Sequence, residues 1–189
     1  MAYYSETKLR EMNFKSLGVN VKISDRASFY DCHRIELGDN SRVDDYCVIS
    51  GNVVIKSYCH ITPMCLIAGG EPGIFIEDFC TLAYGVKVFA QSDDYSGKTM
   101  TNSLIPQEYK SEIFKPVYLD RHVIIGAGSV VFPGVKIAEG CSVGAMTMVN
   151  KSTEPWGVYI GVPAKRVKNR SRDLLNLEQK FQKAKYDSI

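Results

Sequence analysis

A six-residue spacing of aliphatic residues runs through most of this chain and constrains its fold more than any other feature. Every sixth residue is Val, Ile or Leu in three runs: Leu37, Val43, Ile49, Ile55, Ile61 and Ile67, then Ile76, Leu82 and Val88, then Leu119, Ile125, Val131, Ile137, Val143 and Val149. A period of six is a multiple of the two-residue period of a strand and not of the 3.6-residue period of a helix. The spacing therefore predicts short strands separated by turns.

A second position follows each aliphatic residue by four and is usually small, so we expect it to face the same interior. Five of the six cysteines occupy it, namely Cys47, Cys59, Cys65, Cys80 and Cys141. Metal or redox chemistry is the alternative for Cys59 and Cys65, but a thiol also serves as a small apolar group in a tight core. The register favours the core role. Repeats of this kind stack so that each coil buries its neighbour's face, which predicts an all-β solenoid.

Two interruptions break the repeat. Residues 69–73 (GGEPG) form a short bulge, and residues 91–116 (QSDDYSGKTMTNSLIPQEYKSEIFKP) form a long irregular excursion. A loop of that length in a compact repeat protein is usually functional. We therefore expect the excursion to contribute to a site.

Both ends of the chain are predicted to be helical. Ser5 can cap a short helix near residues 5–12. After Val149 we expect the chain to leave the repeat, and apolar residues at helical spacing then predict an amphipathic C-terminal helix: Leu174, Leu177, Phe181 and Ala184. Docking on its own solenoid is favoured over packing on a sister chain or fraying. The predicted division is a β-helix domain over residues 1–168 and a helical tail over 169–189.

Composition excludes several classes of protein. The chain has 189 residues, 45% of them hydrophobic, and a formal net charge of +2. That is the size of one domain, and the charge is too low for a nucleic-acid binder. The sequence contains no apolar run long enough for a membrane span and no signal-peptide core, so we expect a cytoplasmic protein with reduced thiols. Charge is uneven, since residues 165–189 carry eight Lys and Arg against three Asp and Glu.

The hexads resemble those of the hexapeptide-repeat acyltransferases over about residues 17–168. The most specific portions are IIGAGSVVFPGVKIAEGCSVGAMTMVNKS (residues 124–152) and YIGVPAKRV (residues 159–167). The resemblance implies a left-handed parallel β-helix, with the loop excursion near 91–116 and a C-terminal α-helix, assembled as a homotrimer. Within the family the likeness is strongest to sugar acetyltransferases of cell-envelope polysaccharide pathways such as O-antigen synthesis. It therefore implies a sugar or nucleotide-sugar acceptor.

The resemblance also implies acetyl-CoA, or another short acyl-CoA, as the acyl donor, bound between subunits along the C-terminal coils. The residues that it places there are Gly126, Ala127, Gly144, Ala145, Gly161, Pro163, Ala164, Lys165 and Arg166. Small residues would leave the coil surface thin, so that a pantetheine arm could approach the backbone. Lys165, Arg166 and Lys168 would face the phosphates, where cations bind strongly. A solvated basic tail is the alternative for this run.

The catalytic base is the least determined part of the site. Transfer to a hydroxyl needs a general base, and many family members carry a histidine in the long loop. Here residues 91–116 contain no histidine, and Asp93 and Asp94 stand in that stretch. His60, in a His-Ile-Thr-Pro stretch like that of related sugar-amine acetyltransferases, and His122, directly after the excursion, are the candidates. We expect Asp93 or Asp94 to orient an imidazole or to hold the acceptor.

His33 is expected to face the interior and to have a structural role.

The chemical group that is acylated depends on whether a general base is present. A hydroxyl is narrowly favoured, and the amino group of a nucleotide-linked amino sugar is the close alternative, because an amine with a pKa near 8 needs less help to attack.

Two other classes fit less well. Gamma-type carbonic anhydrases share the fold but hold zinc by three histidines, and the separations of 27 and 62 residues here do not suit such a site. We therefore expect no metal. If the protein were a non-enzymatic solenoid, the long excursion would have no explanation.

Overall fold

The computed structural model describes residues 2–186, and the side chains of residues 2–184. The helices are α1 (Glu6–Glu11) and α2 (Asp173–Tyr186), and short 3-10 turns cover Cys32–Arg34 and Gln107–Tyr109. The strands, in chain order, are β1 (Ser16–Leu17), β2 (Lys22–Ile23), β3 (Ser28–Tyr30), β4 (Ile35–Leu37), β5 (Arg42–Val43), β6 (Val48–Ile55), β7 (His60–Ile61), β8 (Leu66–Ile76), β9 (Thr81–Leu82), β10 (Lys87–Phe89), β11 (Gln91–Ser92), β12 (Ile113–Phe114), β13 (Val117–Leu119), β14 (Ile124–Ile125), β15 (Val130–Val131), β16 (Lys136–Ile137), β17 (Ser142–Val143), β18 (Met148–Val149), β19 (Gly157–Ile160) and β20 (Lys165–Asn169).

The strands stack in parallel register into a solenoid with three faces, which confirms the predicted fold class. The inward residues on the first face are Leu17, Leu37, Ile55, Ile76, Leu119 and Ile137. On the second face they are Ile23, Val43, Ile61, Leu82, Ile125, Val143 and Tyr159. On the third face they are Phe29, Ile49, Ile67, Val88, Val131 and Val149. Three hexads therefore make one coil.

The two interruptions preserve the inward register of the coils in different ways, since residues 69–73 stay within β8, which pairs with β6 through register shifts at Gly51, while the excursion leaves the solenoid. Val43 pairs with Ile61, 18 residues later, where the repeat is regular. Ile61 pairs with Leu82 across the bulge, and Leu82 pairs with Ile125 across the excursion. Both insertions lie between the third and first faces of their coils. The excursion is thereby held at the corner between these faces.

The interior consists of the residues that the spacing predicts. All fifteen aliphatic positions are at most 3% exposed, and the five cysteines of the second position are at most 1% exposed. Burying one such aliphatic side chain contributes about 1.5–3 kcal/mol. The repeated hexads are therefore the main source of stability.

His33 is an exception, and its predicted inward position is wrong. It lies exposed in the 3-10 turn Cys32–Arg34. Ile35 is fully buried instead and pairs with Val53 of the next coil. The turn adds two residues to this coil, so the inward position moves from residue 33 to residue 35.

The ends of the solenoid are both covered. At the N-terminus, the Ser5 hydroxyl accepts a hydrogen bond from the Lys8 backbone N–H and caps α1, as predicted. At the C-terminus, β19 extends the second face beyond Val149, so the expectation that the repeat ends there is wrong. Strand β20 then pairs antiparallel with β19. No helix among residues 2–186 is both long and apolar enough to cross a membrane.

The excursion is more regular than its sequence predicts. Its two limbs pair as an antiparallel ladder, β11 with β12, at the base of the loop. A further bridge joins Met100 to Lys110. The excursion is thus a hairpin-based loop anchored on the solenoid.

Candidate active site

His60 lies in β7 on the outer surface of the second face, with its side chain 40% exposed. Its Nε2 is 2.9 Å from Oδ2 of Asp44, which belongs to the preceding coil and is itself buried. The other oxygen of Asp44 accepts a hydrogen bond from Nε of Arg42 at 2.5 Å. The expected outward orientation of His60 is confirmed, although it lies within a strand and not at a corner.

The sheet register relates His60 to the glycine-rich coils. His60 is paired with Thr81, and Thr81 with Ile124, on adjacent strands of the second face. Two strand spacings are about 9.5 Å. Because Gly126 and Ala127 follow β14 (Ile124–Ile125) directly, His60 lies on the same face as these coils and about two rungs away.

His122 has a different environment, because it is only 7% exposed and lies beneath α2. Its Nε2 is 2.8 Å from Oε2 of Glu178, whose other oxygen accepts a hydrogen bond from Arg121. The backbone carbonyl of His122 accepts a hydrogen bond from Arg170 at 2.7 Å. Burial lowers the pKa of Arg170. These contacts attach the C-terminal segment to the solenoid.

His122 also belongs to a stack of rings that we call the aromatic column, made of Tyr58, Phe79, His122 and Trp156. Phe79 stacks between Tyr58 and His122, at centroid distances of 5.1 and 5.2 Å. Tyr58, Phe79 and His122 occupy the same corner position in three successive coils, Gly140 occupies it in the next coil and Trp156 in the one after, and all four ring-bearing members have a positive φ. The side chain of Phe181 from α2 packs edge-on against Tyr58. The predicted docking of the helix on its own solenoid is therefore confirmed.

The two loop aspartates differ in how far their carboxylates are already engaged. Asp94 accepts hydrogen bonds from the Ser96 backbone and hydroxyl and from the Thr99 hydroxyl. The hydrogen bond from the Ser96 hydroxyl is the largest cause that lowers the pKa of Asp94. Within the part of the chain that the structure describes, the Asp93 carboxylate accepts a single long hydrogen bond, 3.4 Å, from the backbone of Asn102. Asp94 thus orders the loop, while Asp93 keeps acceptor capacity.

A cavity of about 310 Å³ lies where the excursion leaves the solenoid, and Asp93 lines it. Its other lining residues are Ser50, Ala68, Gly70, Phe89, Gln91, Ser92 and Glu112. Glu112 accepts a hydrogen bond from Gln91 and pairs with Lys110. The Gln91 hydrogen bond is the main cause that lowers the pKa of Glu112. Two carboxylates therefore face one polar cavity, suited to an amino group or to sugar hydroxyls.

Close packing between coils explains the glycines of the C-terminal coils, which the sequence alone did not show. A Cβ at Gly126 would lie 2.4 Å from the backbone nitrogen of Ala145, and one at Gly144 would lie 2.7 Å from Cγ2 of Ile160. Both glycines are thus required by close stacking of coils. Ala127 is partly exposed and Ala145 is exposed on the same side, so the surface there is indeed thin.

The predicted phosphate-binding segment forms the end of the second face. Gly161 has a φ of 100° and precedes a cis peptide bond between Val162 and Pro163. The Ala164 backbone donates a hydrogen bond to the Met148 carbonyl, which fixes this turn on the preceding coil. All five residues of β20 are exposed.

The cations of β20 are not equivalent. Arg166 donates hydrogen bonds to the Pro155 carbonyl and to Asn169. Lys165 and Lys168 are both exposed at the surface. Lys165 therefore has the freer side chain for a phosphate.

Within a single chain, the candidate catalytic residues lie in two separate groups and do not form one site. His60 lies on the second face, near the coils of Gly126 and Gly144, whereas Asp93 and Asp94 lie at the corner between the third and first faces. The expected pairing of a loop aspartate with His60 is not seen within the chain. His60 is paired with Asp44 and His122 with Glu178.

Sequence reasoning missed Asp44, Glu112 and Glu178. Asp44 follows the inward Val43 and thus lies beside the rung that pairs Arg42 with His60, so the hexad register could have found it. The same register places His122 with Tyr58 and Phe79 in the aromatic column. Glu112 and Glu178 lie in the excursion and α2, outside the repeat, so no spacing could predict their contacts. Among the described residues, no group of three or more His, Cys, Asp or Glu side chains is arranged to hold a metal ion.

Comparison with known proteins gives strong similarity over nearly the whole chain. The dTDP-4-amino-4,6-dideoxy-D-glucose acyltransferase of Escherichia coli is 42% identical over 184 residues, covering 96% of this chain and 95% of that protein. The crystal structure of AntD, an N-acyltransferase from Bacillus cereus in complex with dTDP and 3-hydroxybutyryl-CoA, superposes with a TM-score of 0.96 at 43% identity, covering 97% of this chain and 98% of that one. No family model matches the chain.

Two further structures extend the comparison. A variant of AntD was solved in complex with dTDP-4-amino-4,6-dideoxyglucose and coenzyme A, and it has a TM-score of 0.95 at 43% identity, covering 96% of this chain and 97% of that one. A hexapeptide-repeat acetyltransferase from Vibrio cholerae, complexed with acetyl-CoA, has a TM-score of 0.58 at 18% identity, covering 87% of this chain and 76% of that one. This last likeness concerns the fold alone.

Proposed function

Since this chain belongs to the hexapeptide-repeat acyltransferases, together with the Escherichia coli dTDP-4-amino-4,6-dideoxy-D-glucose acyltransferase, we propose that it acylates the amino group of a dTDP-linked amino sugar. The chain is an acyl-CoA-dependent acyltransferase. The observation that carries the proposed acceptor is the 42% identity over 96% of the chain. AntD, an N-acyltransferase, supports the same reading. The hydroxyl acceptor that the sequence narrowly favoured has less support than its alternative, the amine.

The chemistry is consistent with an amine acceptor. An amine with a pKa near 8 is partly neutral at physiological pH and attacks a thioester without full deprotonation by a base. The reaction forms a C–N bond, breaks the C–S bond of the thioester, and transfers one proton from nitrogen to the leaving thiolate of CoA. The absence of a histidine from residues 91–116 is therefore no obstacle.

The donor end of the proposed site lies on the C-terminal coils. Gly126, Ala127, Gly144 and Ala145 present the thin surface along which the pantetheine arm would lie. The turn of Gly161, Pro163 and Ala164 would contact the adenine end, and Lys165 and Arg166 the phosphates. Main-chain partners suit pantetheine, since its two amides are its principal recognition groups.

The acceptor end of the proposed site combines the loop and the second face. Asp93 would hold the amino group or sugar hydroxyls, because its carboxylate lines the cavity and is scarcely engaged. Asp94 would order the loop through its hydrogen bonds to Ser96 and Thr99. His60 would accept the proton, because it is exposed on the face of the CoA coils. His122, buried beneath α2, would have a structural role.

A homotrimer would bring these two groups together, since one chain separates them. The excursion carries apolar side chains that are almost fully exposed in one chain, Tyr95 at 91% and Leu104 at 89%. Such residues are typical of surfaces that another protein covers. We place the reaction in the cytoplasm, where acyl-CoA and nucleotide sugars are made.

The direct test is an acceptor panel with the purified protein. Acetyl-CoA and 3-hydroxybutyryl-CoA would be offered with dTDP-4-amino-4,6-dideoxyglucose, and with the matched sugar that bears a hydroxyl in place of the amine. We expect thiol release and an acylated product, detected by mass, with the amine only. Equal or faster acylation of the hydroxyl sugar, or no product from any amino sugar, would overturn the proposal.

A further inference from the structure

We propose that Asp44 is a positioning residue of the acyl transfer, which fixes the imidazole of His60 so that Nδ1 accepts the proton from the attacking amine. The inference rests on the proposed N-acyl transfer and on the role of His60 within it. It adds a residue that lies in a different coil from His60.

The hydrogen bond between the two residues determines the tautomer. Asp44 is 2% exposed and its Oδ2 lies 2.9 Å from Nε2 of His60. An ionised carboxylate has no proton to donate, so Nε2 carries the hydrogen and donates it. The lone pair of the neutral ring is then on Nδ1, the nitrogen not bound to Asp44.

The surroundings hold Asp44 in place and balance its charge. Its second oxygen accepts from Nε of Arg42 at 2.5 Å, and the Arg42 guanidinium lies 5.7 Å from the ring centroid of Tyr3. The neighbouring carboxylate of Asp45 is engaged by the Ser24 hydroxyl. On the other side of His60, β9 contributes the neutral Thr81. The imidazole therefore meets a balanced Arg–Asp pair and not an uncompensated anion.

The position of the pair suits proton transfer in the proposed reaction. His60 is two rungs from Ile124, on the face that carries Gly126 and Gly144. As the amine attacks the thioester carbon, Nδ1 takes one proton from the resulting ammonium. When the C–S bond breaks, the imidazolium returns that proton to the CoA thiolate, so atoms and charge balance without another reactant.

Asp44→Asn tests the assignment, because an asparagine NH₂ can donate to Nε2 and so stabilise the opposite tautomer, with hydrogen on Nδ1. We expect kcat to fall about 10–10²-fold, less than the full contribution of a general base, because a partly neutral amine needs less help to attack. The KM for acyl-CoA should change little, because Asp44 is only 2% exposed and so cannot itself contact the donor. Nitrogen-15 NMR of the three histidines should show His60 as the Nε2–H form in the native protein and as the Nδ1–H form in the variant. Asp45→Asn is the matched control and should leave both readouts unchanged.

The outcomes separate this inference from the proposed function. If the native protein acylates no amino sugar, the proposed function fails whatever the variants do. If the native protein is active but Asp44→Asn lowers kcat less than about threefold, or lowers it without changing the His60 tautomer, the role of Asp44 is overturned. Should Asp44→Asn not fold, the tautomer in the native protein decides, since an Nδ1–H form there would also overturn it.

Discussion

At the scale of the residue, His60 and His122 show how environment separates two similar side chains. Each has a carboxylate partner within 3 Å, Asp44 for His60 and Glu178 for His122. His60 remains 40% exposed on an open face, while His122 is stacked on Phe79 and covered by α2. Of these two imidazoles, that of His60 is accessible to solvent and that of His122 is covered.

Lys165 provides a prediction at this scale. Because Arg166 already bonds Pro155 and Asn169 while Lys165 is exposed, we expect Lys165→Ala to raise the KM for acetyl-CoA about tenfold or more. The lost phosphate contact is worth about 1.5–3 kcal/mol, and kcat should change little. Steady-state kinetics with varied acetyl-CoA measures this, with the exposed Lys180→Ala on α2 as control. An unchanged KM in the Lys165→Ala, Arg166→Ala double variant contradicts the placement of the phosphates.

At the scale of the element, the excursion and α2 are both anchored by polar contacts to the solenoid. The excursion depends on β11–β12 pairing and on the carboxylates of Asp94 and Glu112. Helix α2 depends on Glu178 and on the contact of Phe181 with the aromatic column. These contacts are few compared with those of a coil, so both elements should open before the solenoid unfolds.

The carboxylates of the excursion predict a loss of loop order in acid. The folded-state pKa values of Asp94 and Glu112 are lowered by their hydrogen bonds, so the stability that they contribute is present above their unfolded values, about 4. That stability is lost as pH falls through the lower folded values. Hydrogen exchange of residues 93–111 relative to the solenoid should therefore accelerate below about pH 4. Unchanged relative protection down to pH 2 contradicts this, and Asp94→Asn should weaken the effect.

Helix α2 supplies a second prediction for an element. Glu178→Ala removes the carboxylate partner of the buried His122 and the hydrogen-bond acceptor of Arg121, which keeps only its longer ion pair with Asp78, at a cost of about 1–3 kcal/mol for groups that lose their hydrogen bonds. We expect faster tryptic cleavage after Lys180 and a lower urea midpoint. Gln179→Ala, an exposed neighbour on the same helix, is the control and should resemble the native protein. Equal cleavage rates in both variants would show that Glu178 does not hold the helix.

At the scale of the whole molecule, the continuous core protects its thiols. Cys47, Cys59, Cys65, Cys80 and Cys141 are buried, while Cys32 in the 3-10 turn is half-buried. A hydrogen bond with Cys59, together with burial, raises the pKa of Cys80 well above its ordinary value. Buried thiols react slowly, because a reagent cannot reach the sulfur in the folded protein.

Thiol titration of the folded protein tests this arrangement. We expect one thiol, Cys32, to react well before the other five, and all six to react once the chain is unfolded in guanidinium. Cys32→Ser should remove the early phase and leave the slow one. Several thiols reacting early in the native protein would contradict the continuous core.

The sequence by itself determined the solenoid, its inward residues and its points of interruption. A strand-period repeat buries one side of each strand, so local spacing is enough to assign Leu37 or Cys141 to the core. The GVPAK turn and the glycine-rich coils likewise identified the family, since their residues are consecutive in the chain.

The tertiary structure alone decided which polar groups meet. Asp44 reaches His60 because parallel stacking brings residues of successive coils side by side, and Glu178 reaches His122 because α2 folds back over 56 residues of chain. Asp93 and Glu112 face one cavity because the limbs of the excursion pair as a hairpin. The contacts of Glu178 and Glu112 do not follow from hexad spacing, since both residues lie outside the repeat, whereas the contact of Asp44 with His60 follows from the spacing once the coils are known to stack in parallel.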